Sequence, residues 1–332
     1  MAIIQGRPVG ILGTGMSLPE RVVTNRDLEK IVNTSDEWIV QRSGIHTRRM
    51  ASAGESNASL AAVSALAAMR AAAVPADDID MIMVGTNSPD TLFPGVAPIV
   101  QSMTGASRAG GMDVQAGCPG ALFAMAAAAG GIASGIWDNV VVIGSEVMTP
   151  LVDQTDRSTC VLFGDGAGAC VMGPWREGAL RVTHADMKAD GSKSDLISLP
   201  GGLSALPANE RTLREKMHFL KMNGREVFKF VSRELPDYLA NFCQSCGITC
   251  DEVDWWIFHQ ANIRIIEYVC ERMKIPMDRV IINLDRYGNT SAASIMIALH
   301  ESLGCGTIRR GQRTVITSFG AGMTYGAILA ES

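Results

Sequence analysis

Asp77-Asp78-Ile79-Asp80-Met81-Ile82-Met83-Val84 has a counterpart 174 residues further on in Asp251-Glu252-Val253-Asp254-Trp255-Trp256-Ile257-Phe258. Each copy is an acidic turn followed by four apolar residues, the length of a buried strand, and each follows a helical segment. Asn139 to Gly144 and Arg313 to Ser318 repeat at the same spacing as polar-capped apolar strands. Cys118 and Asn289 fall 171 residues apart; each follows a glycine and opens a small-residue segment that reads as a helix start. Unrelated αβ units would not keep so similar an offset across these landmarks. The chain therefore reads as an α/β fold built by internal duplication. Matching strand ends of such a pair meet near a pseudo-dyad, which would bring Cys118, His259 and Asn289 together.

The remaining pattern surrounds these repeats. Val9 to Gly13, Met81 to Gly85, Val140 to Gly144, Trp255 to His259 and Thr314 to Thr317 are runs of strand length. Between many of them lie Ala-rich or amphipathic stretches of helical length, Ser59 to Ala73, Ala121 to Gly131 and Arg225 to Cys243. The duplication predicts two α/β halves: residues 1–174, with the cysteine, and residues 175–332, with the histidine and asparagine.

Composition narrows the function. The 332 residues are 47% hydrophobic, enough for a large core. The net charge is -5, without the clustered Lys and Arg on which nucleic-acid affinity rests. No run approaches the roughly 20 apolar residues of a membrane span, and Met1 to Pro8 is too short and polar for an export signal. Eight cysteines in such a chain predict a reduced, cytoplasmic setting. Cys243, Cys246 and Cys250 have no close fourth ligand, so they read as a helix ending at Gly247 rather than as a zinc site, and no metal is expected.

Three residues carry candidate chemistry. Cys118 lies in Asp113 to Ala121, a strand end and tight turn, with Pro119 suited to the first helical position. A thiol at a helix start feels positive potential, which predicts a lowered pKa. His259 follows the strand at Trp255 to Phe258, where parallel α/β enzymes place catalytic groups. Asn289 sits in Tyr287 to Ser294, a turn and helix start. Phe163-Gly164-Asp165-Gly166-Ala167-Gly168-Ala169 lacks the Lys-Ser/Thr of a phosphate loop, and Gly10 to Gly15 lacks the full dinucleotide fingerprint; both read as close-packed turns.

Four motifs in one order, Thr34 to Ile45, Phe163 to Ala169, His259 to Arg264 and Leu284 to Ser294, closely resemble those of the β-ketoacyl-[acyl-carrier-protein] synthase III family. These are condensing enzymes of the thiolase superfamily, and the likeness runs from about Gly10 to the C-terminus. It implies a layered αβαβα sandwich. It also implies the decarboxylative condensation of a short acyl-coenzyme A, acetyl in the first instance, with malonyl-[acyl-carrier-protein], starting type II fatty acid synthesis. By resemblance, Cys118 is the nucleophile, His259 and Asn289 activate the malonyl thioester, and the amides of Cys118 and Ala321 hold the oxyanion. Trp38, Arg42 and Arg157 match the grip on the adenine and phosphates of coenzyme A; Gly224, Phe228 and Asn262 match the tunnel. Phe163 and Phe93 match the acyl pocket, Phe93 reaching in from the partner of a homodimer. Arg225, Lys229 and Arg233, spaced by four on a predicted helix, with Arg264 and Arg272, form the expected carrier-protein patch.

The family usually has Ala-Ala-Cys-Ala-Gly-Phe at the nucleophile and Gly at position 321. Here Ala116-Gly117-Cys118-Pro119-Gly120-Ala121 and Ala321 stand instead. These departures leave room for a specialised relative that makes a secondary metabolite or transfers an acyl group without decarboxylation. No cofactor is expected in either case, coenzyme A thioester being substrate.

Overall fold

A computed structural model describes residues 2–332; Met1, at the start of the segment expected to carry no export signal, lies outside them. Ten strands follow one path through a single sheet. In the first half they are β1 (Val9–Ser17), β2 (Met81–Gly85), β3 (Gly110–Val114), β4 (Val140–Glu146) and β5 (Gly166–Pro174). In the second half they are β6 (Leu180–Ala189), β7 (Trp255–Phe258), β8 (Val280–Ile281), β9 (Arg313–Gly320) and β10 (Thr324–Glu331). The order is β8-β7-β9-β10-β6-β1-β5-β4-β2-β3, with a short strand, Ala2–Ile3, pairing beside β6.

Read from either edge, this order is the same sequence of counterparts. β2 runs parallel to β3 and β4, as β7 does to β8 and β9. β5 is antiparallel to β4 and β1, as β10 is to β9 and β6. The two halves join through antiparallel pairing of β1 with β6 over Val9–Ile11. The repeated acidic turns sit ahead of β2 and β7, the matching positions. The expected 174/175 division falls in the turn between β5 and β6.

Helices complete the layers. Asn57–Ala72 (α1) packs on β1, β4 and β5 at the outer face of the first half. Gly224–Ser245 (α2) and Ile263–Met273 (α3) pack on one another over the second half. Gly120–Ala133 (α4) and Ser294–Gly304 (α5) lie between and touch strands of both halves. This middle position explains the composition of α4. A helix with strands on both sides has little solvent face to keep polar, here Ala127 and Gly130, and its Ala and Gly residues let the flanking strands approach. One apolar cluster accordingly runs through α4, α5 and strands of both halves, including Met83, Val142, Ile257, Ile316 and Ile328. β4 is buried along its whole length, in keeping with its unbroken apolar run. α2 stops at Ser245 with Cys246 as cap and Gly247 at φ 75°, the left-handed turn expected of a helix end there. No helix among the described residues is long and apolar enough to cross a membrane.

Candidate active site

The turn before α4 holds Cys118 against the far end of β9. Gly117 takes φ 63°, and a Cβ there would lie 2.7 Å from the Ala321 backbone N. A Cβ on Gly320 would lie 2.5 Å from Cys118 N. Only glycine permits both approaches. The Thr324 hydroxyl lies across the joint, 2.6 Å from Ala116 O and 2.9 Å from Ala321 O. Pro119 is the cap of α4, with φ −69° and ψ 0°, and Gly120 opens the helix, so the proline stands one residue earlier than expected.

The thiol does not follow the expectation of a lowered pKa. Burial pushes it up to about 12, the Glu146 carboxylate adds to the rise, and hydrogen bonding from Ser291 Oγ, 3.5 Å from Sγ, opposes it. Losing water outweighs the help of the helix start, because a thiolate there has few dipoles to replace its hydration.

His259 follows β7, its N–H donating to Thr317 O at 2.8 Å, and its ring meets Phe319 edge to face at 5.3 Å. Nδ1 lies 2.7 Å from Ser294 Oγ, which also accepts the Gln260 N–H at 3.4 Å. The Ser294 hydroxyl is placed to give its proton to Nδ1, the arrangement in which Nε2 carries the ring hydrogen. Burial alone lowers the His259 pKa to about 3, so the imidazole is neutral. Asn289 is fixed through its backbone: it accepts from Gly164 N–H at 3.0 Å and donates to Leu162 O at 2.8 Å. Its Oδ1 accepts the Ser291 N–H at 2.8 Å, which orients the amide nitrogen as the free donor. The Phe163 to Ala169 motif thus positions Asn289, through the Phe163–Asn289 bridge.

Cys118, His259, Asn289 and Ala321 line one cavity of about 820 Å³. Phe163 and the tunnel candidates Gly224, Phe228 and Asn262 line it too, as do Trp38, Arg42 and Arg157. The Arg157 guanidinium lies 4.6 Å from the centre of the Trp38 ring and that of Arg42 5.9 Å. Asn262 is partly engaged as the cap of α3, accepting from Arg264 N–H and donating to Arg42 O. Phe93 is not part of this cavity and is 81% exposed. Arg225, Lys229, Arg233, Arg264 and Arg272 are all exposed on α2 and α3. Lys229 pairs with Glu226 and Arg233 with Glu234.

Two family models match the chain, both described as 3-oxoacyl-[acyl-carrier-protein] synthase III: one over residues 112–191, and its C-terminal counterpart over residues 243–332. The β-ketoacyl-[acyl-carrier-protein] synthase III of Symbiobacterium thermophilum is 44% identical over 322 residues, 97% of each chain. The chain belongs to the synthase III family. The enzyme of that name from Caldanaerobacter subterraneus is 43% identical over 95% of each chain. The crystal structure of the Aquifex aeolicus synthase III superposes with a TM-score of 0.89 at 40% identity, covering 98% of this chain and 100% of that one.

Several residues of this synthase III site escaped the reading of the sequence. Ser291 and Ser294 lie within the quoted Leu284 to Ser294 motif, yet small hydroxyl residues at a helix start read as caps. Glu146 closes an apolar strand, and an acidic residue at such a strand end was the available signal. Asn87, bonded to Glu146 at 2.8 Å, gave none.

The burial of His259 has a direct test. Its ring should remain neutral from pH 8 down to pH 5, since protonation sets in only towards about pH 3. Histidine-selective NMR should show constant ring shifts over that range; a midpoint near 6.5 would mean the ring is solvated.

Proposed function

We propose that this chain joins a short acyl group, carried by coenzyme A, to malonyl-[acyl-carrier-protein] with loss of carbon dioxide, through an acyl-Cys118 intermediate. The observation that carries the reading is the meeting of Cys118, His259 and Asn289 on one cavity whose wall also holds the Trp38–Arg157 stack. A ring with two guanidinium groups near it suits an adenine and its phosphates.

In the first half-reaction the Cys118 sulfur attacks the thioester carbonyl. The adjoining backbones of Cys118 and Ala321 supply the oxyanion donors; Ala serves as well as the usual Gly because the donor is an N–H. Removing one donor of this kind typically costs ~10²–10³ in rate. In the second, His259 Nε2–H and the Asn289 amide donate to the malonyl thioester oxygen and stabilise the enolate left by decarboxylation. A neutral histidine with Nδ1 occupied by Ser294 suits that donor role. The enolate carbon then attacks the acyl-Cys118 carbonyl. Neither step changes an oxidation state or requires an added electrophile, so the scheme uses no cofactor. A cytoplasmic location fits the reduced thiols of the scheme.

A homodimer is supported by the surface. β3 is a sheet edge exposed along Gly110–Met112, and Leu92, Phe93 and Met112 are exposed apolar side chains. An uncovered apolar edge is a template for a second copy, whose Phe93 would then enter the acyl pocket. The carrier-protein patch is supported by adjacency: Gly224, Phe228 and Asn262 line the cavity, and Arg225, Lys229 and Arg264 are their exposed neighbours.

Cys118→Ala should abolish acyl-enzyme formation, followed by mass spectrometry with acetyl-coenzyme A. His259→Ala and Asn289→Ala should still be acylated, yet condense at least ~10²-fold more slowly. Loss of labelling in His259→Ala as complete as in Cys118→Ala would remove its assigned role. Phe93→Ala should shift preference from acetyl towards butyryl and hexanoyl thioesters, by ~1–3 kcal/mol per methylene; unchanged relative rates would take Phe93 out of the pocket. Lys229→Glu with Arg264→Glu should raise KM for the carrier protein, less so at high salt because screening acts over ~10 Å at 0.1 M. Equal losses in both half-reactions would instead point to coenzyme A binding.

A further inference from the structure

The scheme above leaves one proton unassigned. Cys118 begins as a thiol, since burial holds its pKa near 12. His259 is a poor base: its Nδ1 faces Ser294, its Nε2 carries the hydrogen in the tautomer that serves as donor to the enolate, and burial disfavours its protonation. Something else must take the proton when the sulfur attacks.

The Ser291 hydroxyl stands 3.5 Å from Cys118 Sγ and 2.9 Å from Glu146 Oε1. It has one proton and so cannot donate to both at once. With Cys118 as thiol, the S–H can point to Ser291 Oγ while Ser291 donates to Glu146. Ser291 is held in this place by a left-handed backbone, φ 48°, rarely adopted outside glycine, and by the Asn289 Oδ1 that accepts its N–H. The site thus maintains an uncommon backbone conformation that sets this hydroxyl between the two groups.

Glu146 has no exposed surface. Its carboxylate accepts from the backbone and side-chain amide of Asn87, from the hydroxyls of Thr86, Ser88 and Ser291, and from the Ala292 N–H. All of these are neutral donors, and no ion pair includes it among the described residues. The other titratable group on the network is Cys118. A buried carboxylate without a cation is a costly arrangement, and burial raises its pKa above the usual glutamate range, as a proton acceptor at neutral pH requires.

We propose that Glu146, acting through the Ser291 hydroxyl, receives the Cys118 thiol proton during acylation. The inference rests on Cys118 being the nucleophile. As the sulfur electron pair forms the new carbon–sulfur bond, the S–H bond breaks and its proton passes to Ser291 Oγ. The Ser291 proton passes to Glu146 Oε1. When the tetrahedral intermediate collapses, the bond to coenzyme A breaks with its electron pair. The relay then runs back, so that coenzyme A leaves as a thiol and Glu146 is ionised again. Ser291 touches the reacting sulfur; Glu146 acts only through it.

Single-turnover acylation by acetyl-coenzyme A, followed by intact-protein mass spectrometry from pH 5.5 to 9, tests this. Glu146→Gln keeps the shape but cannot take a proton, and should acylate about 10²-fold more slowly at pH 7.5. The native rate should fall on acidification as Glu146 protonates, and the variant should lack that limb. A carboxylate that merely repelled the thiolate would give the opposite sign: its removal would leave acylation as fast or faster, which would overturn the proposal. If Glu146→Gln does not fold, Ser291→Ala serves, since it removes one oxygen atom; acylation within about threefold of native would equally overturn the relay. Native protein that takes no acyl group on Cys118 would instead overturn the nucleophile itself, and the relay with it.

Discussion

The site depends on a backbone contact without side chains. The Gly117–Cys118 turn lies against Gly320–Ala321 so closely that a single Cβ on either glycine would overlap the opposing main chain. The first segment begins the central helix of one half and the second ends a strand of the other. Their contact is one of the places where the two copies of the duplicated unit meet, besides the β1–β6 pairing. It sets two backbone amides beside Cys118, and because the first segment joins β3 to α4 and the second ends β9, neither can retreat without disturbing the layers. Close-packed interiors transmit such displacements instead of absorbing them.

Burial then sets the electrostatics. The packing that forms the cavity also withholds water from His259 and Glu146 and from much of Cys118. The cysteine stays a thiol, the histidine stays neutral, and the glutamate behind them is pushed towards its acid form, all for the same reason. A neutral histidine is suited to donating a hydrogen bond to an enolate and unsuited to removing a thiol proton. In the proposed scheme one environment separates the two half-reactions, with the His259–Asn289 pair assigned to the second and the Glu146–Ser291 pair to the first.

Much of this was legible in the residues. The repeated acidic turns and apolar runs at Met81 and Trp255 fall on matching strands, and the sheet order has the symmetry that a duplication requires. The small-residue helix after Cys118 is the central one. Cys118, His259 and Asn289 each stand at an element boundary that local pattern can locate, and resemblance to the family motifs singled them out as candidates. Glu146, Ser291 and Ser294 were not identifiable. Their connection to His259 and Cys118 lies in hydrogen bonds that cross 145, 173 and 35 residues of sequence, where no local pattern operates.

The thiol shows the division most clearly. Sequence locates Cys118 before a helix start, and from that alone a lowered pKa follows. The tertiary structure removes much of the water, sets a carboxylate one hydroxyl away, and reverses the sign. By itself the sequence located the strands at Val9, Met81, Val140, Trp255 and Thr314, the helices between them and the repeat that relates the two halves, since periodicity, turn chemistry and motif order are properties of neighbours along the chain. Only the tertiary structure decided the protonation states and partners of the groups in the site, because desolvation is a property of everything packed around a group, wherever in the chain it originates.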